Sequence, residues 1–222
     1  MIEHPELLLI DKPAGKTSMD VIRVLRRKLD IKKIGHAGTL DPLATGLMLI
    51  GISGGTKKLT ELVKLDKEYL AEIRIGEKRT TGDLEGEVIE AKAATTVTKE
   101  EVEKALKNMV GNLTLPVSAY SAIKVDGIPM YKRARKAEQG EVPVGEVPVR
   151  TMSVYSADPL SYMIVGDWGI VTVRFSVGSG TYVRSLAEEL GRRLNYPATL
   201  QNLRRTKVGE YDIKNAKRLE DI

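Results

Sequence analysis

The chain has 222 residues, 42% of them hydrophobic, which is enough for a packed core in one large domain or two small ones. It contains no cysteine and only two histidines, His4 and His36, far apart in sequence, which excludes disulfides, thiolate metal sites and cysteine nucleophiles and leaves no metal expected. The net charge of +5 is a modest basic excess compatible with a polyanionic partner.

The N-terminal MIEHPELLLIDKP lacks the basic start and the length of a signal peptide, and no stretch is long and apolar enough to span a bilayer, so a cytoplasmic location is expected. Leu7–Ile10 is apolar and is followed by the turn-forming DKPAGK, which predicts a strand. Ser18 is placed to cap a helix that buries Val21, Ile22, Leu25 and Leu29 and exposes Arg23, Arg26 and Arg27. From Arg23 to Lys33 six of eleven residues are Lys or Arg, with further groups at Lys132/Arg133/Arg135/Lys136 and Arg204/Arg205/Lys207; a solvated face and a polyanion site both account for such clusters. A glycine-punctuated loop, GHAGTLDPLATG, then leads into an apolar strand around Leu47–Ile52. Gly51–Lys58 lacks the spacing of a phosphate loop and reads as a turn before a helix.

Tyr69–Ile75 alternates as a strand, RTTGDLEG supplies a turn, and Glu87–Glu90 is its expected hairpin partner. Asp83, Glu85 and Glu87 lack the other ligands of a calcium loop and read as part of that turn. Thr98 and Glu101 form a capping box ahead of Val102, Ala105, Leu106 and Met109, which predicts a packing helix. Ser118–Gly145, rich in Lys, Arg, Tyr, Gly and Pro and weak in periodicity, predicts an insertion over a ligand surface. Leu160–Val165 and the alternating Val171, Val173, Phe175 and Val177 flank a GDWG turn and predict an antiparallel hairpin. Gly178–Gly180 leads into a helix carrying Val183, Leu186, Leu190 and Leu194, with Arg192 and Arg193 near its end, where the dipole favours cations. Strands and helices mix without a βαβ rhythm, so the fold class is α+β.

Within GHAGTLDPLATG, Asp41 is the best single candidate for covalent chemistry, because the small residues around it let a bulky substrate approach the backbone. A carboxylate acts as a nucleophile only when ionised and oriented, which calls for a nearby cation, ideally arginine. An isolated Asp-Pro is otherwise a turn or helix-cap residue.

GHAGTLDPLATGLM resembles the catalytic loop of the TruB family of tRNA pseudouridine synthases. Four further segments agree in order: LLLIDKPAGKTS at residues 7–18, KEYLAEIRIG at 67–76, YSAIKVDG with YKRARKAEQG between 120 and 140, and GSGTYVRSLAEELG with LRRTKVG between 178 and 209. The resemblance implies a pseudouridine synthase fold, a mixed and mainly antiparallel sheet flanked by helices with a central catalytic cleft. It implies isomerisation of the uridine at position 55 of the tRNA T-loop, without cofactor or metal, on a flipped-out base. By resemblance Asp41 is the nucleophile, Tyr69 stacks on the base, and Arg184 pairs with Asp41. His36 belongs to the loop that meets the rearranged RNA, and Tyr182 and Leu203 line the pocket. Lys12 and Lys124 are structural or RNA-facing. The implied partner is the tRNA T-arm, met by a monomer without membrane contact; a non-catalytic RNA-binding or RNA-folding module on the same scaffold, and a pseudouridine synthase acting on another RNA, are the alternatives. Residues 1–222 are expected to be one catalytic domain with a basic insertion at about 118–145. Three departures from the family pattern stand out: Arg79-Thr80 replaces the usual Thr-Asp, the proline ahead of YSA lies early at Pro116, and Ile222 ends the sequence where bacterial members usually continue into a small C-terminal RNA-binding domain of the PUA-like kind, which is expected to be missing.

Overall fold

Apolar residues at alternating or continuous spacing define the strands, and amphipathic runs define the helices, in a computed structural model that describes residues 5–121, 123–138 and 147–222. In chain order these are β1 (Leu7–Lys12), α1 (Ser18–Leu29), β2 (Ile34–Ala37), β3 (Thr45–Ile52), α2 (Leu59–Leu62), β4 (Lys67–Ile75), β5 (Glu77–Arg79), β6 (Val88–Ala91) and α3 (Lys99–Lys107). There follow β7 (Gly111–Pro116), β8 (Lys124–Val125), β9 (Ile128–Pro129), α4 (Met130–Glu138), β10 (Val149–Val165), β11 (Trp168–Val177), α5 (Val183–Leu194), β12 (Ala198–Val208), β13 (Tyr211–Asp212) and β14 (Lys217–Arg218). His4 and the Gly145 end of the predicted insertion lie outside the described residues.

One large sheet runs in the order β14-β1-β3-β12-β4-β11-β10-β7, with β2 on β3 and β13 on β12. Its ladders are antiparallel except β1 with β14 and the short β3–β12 contact, Thr45 to Arg204 and Gly46 to Arg205. Val21, Ile22 and Leu25 of α1, Val102 and Leu106 of α3, and Leu186 and Leu190 of α5 join Met48, Ile50, Ala71, Ile73, Val173 and Phe175 of the sheet in one core. The opposite face of β3 turns Leu47 and Leu49 into a second, smaller core with Leu59 and Leu62 of α2. β3 is therefore apolar on both faces, as its nearly continuous hydrophobic run requires.

Gly46 makes the β3–β12 contact possible: its φ is +108°, and a Cβ there would stand 2.3 Å from the Arg205 carbonyl oxygen. Only glycine tolerates both the backbone conformation and the approach.

Three local expectations are corrected. Thr17, not Ser18, is the N-cap of α1; its hydroxyl accepts from the Asp20 amide while the Asp20 carboxylate accepts from the Thr17 amide, a capping box. Glu87–Glu90 does not pair with the Tyr69 strand. β6 pairs instead with β5, because β4 already has β12 and β11 as neighbours. The described part of Ser118–Gly145 holds a tight hairpin, β8–β9, and the helix α4 rather than irregular chain alone. The capping box at Thr98 and Glu101 and the hairpin across Gly166-Asp167 are as predicted.

Candidate active site

The loop from Gly38 to Ala44 leaves β2 and enters β3, and four anchors fix it. Ser18, buried in the first turn of α1, donates through Oγ to the Leu40 carbonyl at 3.0 Å and accepts from the Leu40 amide at 2.9 Å. The Lys12 ammonium, fully buried, donates to the carbonyls of Lys16 at 2.6 Å, Pro13 at 3.0 Å and Pro42 at 3.2 Å. The Gly15 amide also donates to Pro42 at 2.9 Å. From the far side, Arg205 Nη2 donates to the Gly38 carbonyl at 3.1 Å. Asp41 is thus presented on backbone held by α1, β1 and β12, with its side chain 40% exposed.

Arg184, in the first turn of α5, faces it: Nη2 lies 3.1 Å from Asp41 Oδ2 and Nη1 lies 3.7 Å from Asp83 Oδ2. A cation at a helix N-terminus opposes the dipole, so this guanidinium needs counter-charge, and the two carboxylates supply it. Its amino groups also donate to the Thr81 carbonyl at 2.9 Å, Ser118 Oγ at 3.1 Å and the Tyr120 carbonyl at 3.4 Å. The fork is therefore locked, and it locks Asp41 in turn. Asp83 is buried and accepts from Thr81 Oγ1 at 2.6 Å and the Glu85 amide at 3.1 Å. Burial, then the neighbouring charges of Asp83 and Asp41, raises the Glu85 carboxyl above its usual range. Arg79, the departure in this turn, donates to Leu84 and Gly86 carbonyls at 3.1 and 2.9 Å and pairs with Glu77, so it braces the turn that carries Asp83.

Two recesses meet at the Asp41–Arg184 pair. The inner one, about 290 Å³, is lined by Asp41, Lys67, Tyr69, Tyr182, Arg184, Leu203 and Arg205 among others. The outer one, about 750 Å³, is lined by Arg23, His36, Asp41, Glu85, Tyr120, Tyr131 and Arg184 among others. The sheet builds the inner recess by period-two alternation: Tyr69 and Lys67 stand on one face of β4, and Arg205 of β12 is the register partner of Tyr69. Burial is the main cause that raises the Tyr182 phenol. Burial and then the Arg205 charge lower the His36 imidazole below its usual range, opposed by a backbone hydrogen bond to Gly38; its Nδ1 has no partner among the described residues.

The structure thus brings together Asp41, Tyr69, Tyr182, Arg184 and Leu203 around one recess and sets His36 in the adjoining one. Lys12 lies behind the loop. Lys124 is exposed on β8 and lines neither recess. Asp83, Lys67 and Arg205 escape a sequence reading, because charged residues in a turn, at a strand start and in a basic cluster look like surface; Lys67, two residues before Tyr69 on the same strand face, carries the one usable signal. Among the described residues no group of acids and histidines could hold a metal ion, and no helix is long and apolar enough to cross a membrane.

A family model described as TruB family pseudouridylate synthase (N terminal domain) matches residues 26–183. The chain belongs to the TruB family of pseudouridylate synthases. A relative called tRNA pseudouridine synthase B in Corynebacterium efficiens is 40% identical over 221 residues, covering 100% of this chain and 73% of the relative. One of the same name in Leifsonia xyli subsp. xyli is 42% identical over 219 residues, covering 97% and 71%. A chain in a crystal structure of a Cbf5-Nop10-Gar1 complex shares the fold at a TM-score of 0.70 and 26% identity, covering 97% of this chain and 52% of that one. This TruB-family chain therefore spans nearly three quarters of those curated relatives and about half of that structural neighbour, with the Asp41 loop, Tyr69 and Asp83 all inside the matched family segment.

Proposed function

We propose that this chain isomerises uridine to pseudouridine in tRNA, with Asp41 as nucleophile and the T-loop uridine at position 55 as target. The observation that carries the reading is the 3.1 Å pair of Arg184 and Asp41 at the edge of a recess of nucleobase size floored by Tyr69 and Leu203. A uridine within folded RNA hides its glycosidic bond, so it must leave the stack, and an aromatic wall offsets part of the lost stacking. Arg184 pairs with Asp41 and fixes its carboxylate at the recess both residues line. The C1′–N1 bond breaks with its electron pair on the ring, the ring turns, and C5 bonds to C1′. The C5 proton is then lost and N1 takes one up, so no oxidant and no further atom is required. Attack by Asp41 on the ribose carbon, with the new C–O bond breaking as C5 takes C1′, and addition to the uracil ring, with that C–O bond breaking once C5–C1′ has formed, both use the same ion pair. Both return the free carboxylate, and Tyr69 assists proton removal. Residues 1–222 act as a single catalytic domain, a cytoplasmic monomer with the outer recess, whose wall includes Tyr120 and Tyr131, turned toward the T-arm.

The test is tritium release from a tRNA transcript labelled at C5 of uridine. Release by the unmodified protein, with a loss of at least about a thousandfold in Asp41→Asn, is the expected result. Equal release from both would remove Asp41 from the chemistry, and a modified position outside the T-loop would overturn the target.

A further inference from the structure

Lys67 and Arg205 are buried cations that the scheme above leaves without a role. Lys67 is 7% exposed and Arg205 1%. Burying a charge is costly unless an opposite charge accompanies it. Arg184, at 6% exposure in the same recess, has two carboxylates. Among the described residues, neither Lys67 nor Arg205 has a carboxylate within ion-pair reach. They also share a sheet face, flanking Tyr69 from β4 and β12, so each aggravates the burial of the other.

Their hydrogen bonds leave donors over. Arg205 uses Nε on the Leu47 carbonyl at 2.7 Å and Nη2 on the Gly38 carbonyl at 3.1 Å. Nη1 has no hydrogen-bond partner among the described residues, yet it is not one of the polar atoms sealed from solvent, and Arg205 lines the inner recess. Lys67 Nζ donates to the Val63 carbonyl at 2.6 Å and Ser179 Oγ at 3.1 Å, two of the three bonds an ammonium can make. Carbonyl bracing accounts for the position of both side chains. It does not account for two unmatched charges beside the aromatic floor of a base-sized cavity.

We propose that Lys67 and Arg205 are catalytic residues that together hold the negative charge left on the uracil ring when its bond to ribose breaks. The assignment rests on the isomerase reading above. Bound uridine is neutral and gains little from the two cations. Once the C1′–N1 electron pair passes to the ring, the charge spreads over N1 and the two carbonyl oxygens, and a preformed cationic wall stabilises that species selectively. The same pair then leaves the ring to form C5–C1′, and the wall returns to its unmatched state. Burial, reinforced by Arg205 and opposed by Asp66, brings the Lys67 ammonium down to about 8, so it remains charged at neutral pH.

The experiment compares the unmodified protein with Lys67→Met, Lys67→Gln and Lys67→Arg on a T-arm stem–loop RNA carrying uridine or 5-fluorouridine at the target. Single-turnover consumption of each nucleoside is read from nuclease digests, RNA affinity from filter binding, and folding from thermal melting. Lys67→Gln keeps a donor for Val63 and Ser179 while removing the charge, so it separates charge from bracing. We expect Met and Gln to slow uridine consumption by about a hundredfold, the usual effect of removing one preorganised donor, with affinity changed less than about threefold. Because fluorine at C5 itself draws charge from the ring, the loss with 5-fluorouridine is expected to be about tenfold smaller, and Lys67→Arg restores most of the rate. A folded Gln variant with an unchanged uridine rate, or an equal loss with both nucleosides, would overturn the assignment. If the unmodified protein consumes neither nucleoside, the isomerase reading falls and takes this one with it, a result plainly different from an active parent with indifferent variants.

Discussion

Lys12 shows how one buried charge can be structural. Its ammonium gathers three carbonyls from the turn after β1 and from the Asp41 loop, so its stem packs like an apolar residue while its head replaces backbone partners. Lys12→Met should lower stability by about 1–3 kcal/mol, seen as a fall of about 5 °C in melting temperature. Burial is the main cause that brings Lys12 from an ordinary 10.5 down to about 8. Between those values the folded chain has released a proton that the unfolded chain still binds, so stability rises with pH across the window. Lys67, brought to about 8 by the same main cause, adds to that rise. Urea midpoints of Lys12→Met across this window should rise about half as steeply as those of the parent. An identical slope would mean that Lys12 is not the titrating group.

At the scale of elements, the decisive contact is the short parallel pairing of β3 with β12. It sets Arg205 behind the Asp41 loop and lets Tyr69, Leu203 and Arg205 share one face. Gly46→Ala places a Cβ against the Arg205 backbone at a positive φ, and it should cost more than about 3 kcal/mol, read as a lowered urea midpoint. A change under about 1 kcal/mol would mean that the two strands separate freely. β12 also shows why an element can be missed. Bulges between Leu200 and Asn202 and between Arg205 and Lys207 break its alternation, and Arg205 fills an inward position where a sequence reading expects an apolar side chain. α3 shows the converse, since Thr98 and Glu101 satisfy its first amides locally, without help from the rest of the chain.

Across the whole molecule the basic residues divide by what they touch. Arg26 donates to the Ile34 carbonyl, and Lys28 holds the carbonyls of Leu219, Glu220 and Ile222, so both tie the fold together. Arg23, with a side chain 70% exposed, lies on the wall of the outer recess beside Asp20. Arg23→Gln should weaken tRNA binding at low salt and reduce the slope of log affinity against log salt by about one. Lys28→Gln should change melting temperature and leave that slope alone. Equal slopes for the parent and Arg23→Gln would take the outer recess off the RNA path.

Within the sequence itself lay the elements whose signals are local: the alternation of Tyr69–Ile75, the Thr98 capping box, the GDWG turn, and the small-residue loop around Asp41. Ordered motif agreement added the family. Tertiary structure alone decided that Thr17 rather than Ser18 caps α1, freeing Ser18 to hold Leu40, and that β6 turns away to β5 because β4 is already flanked. It alone decided which charges are buried. A lysine or arginine carries the same formal charge in any sequence, but whether it meets water, a carboxylate or a row of carbonyls depends on chain segments far away, and here that difference separates Arg23 on the surface from Lys12, Lys67 and Arg205 inside.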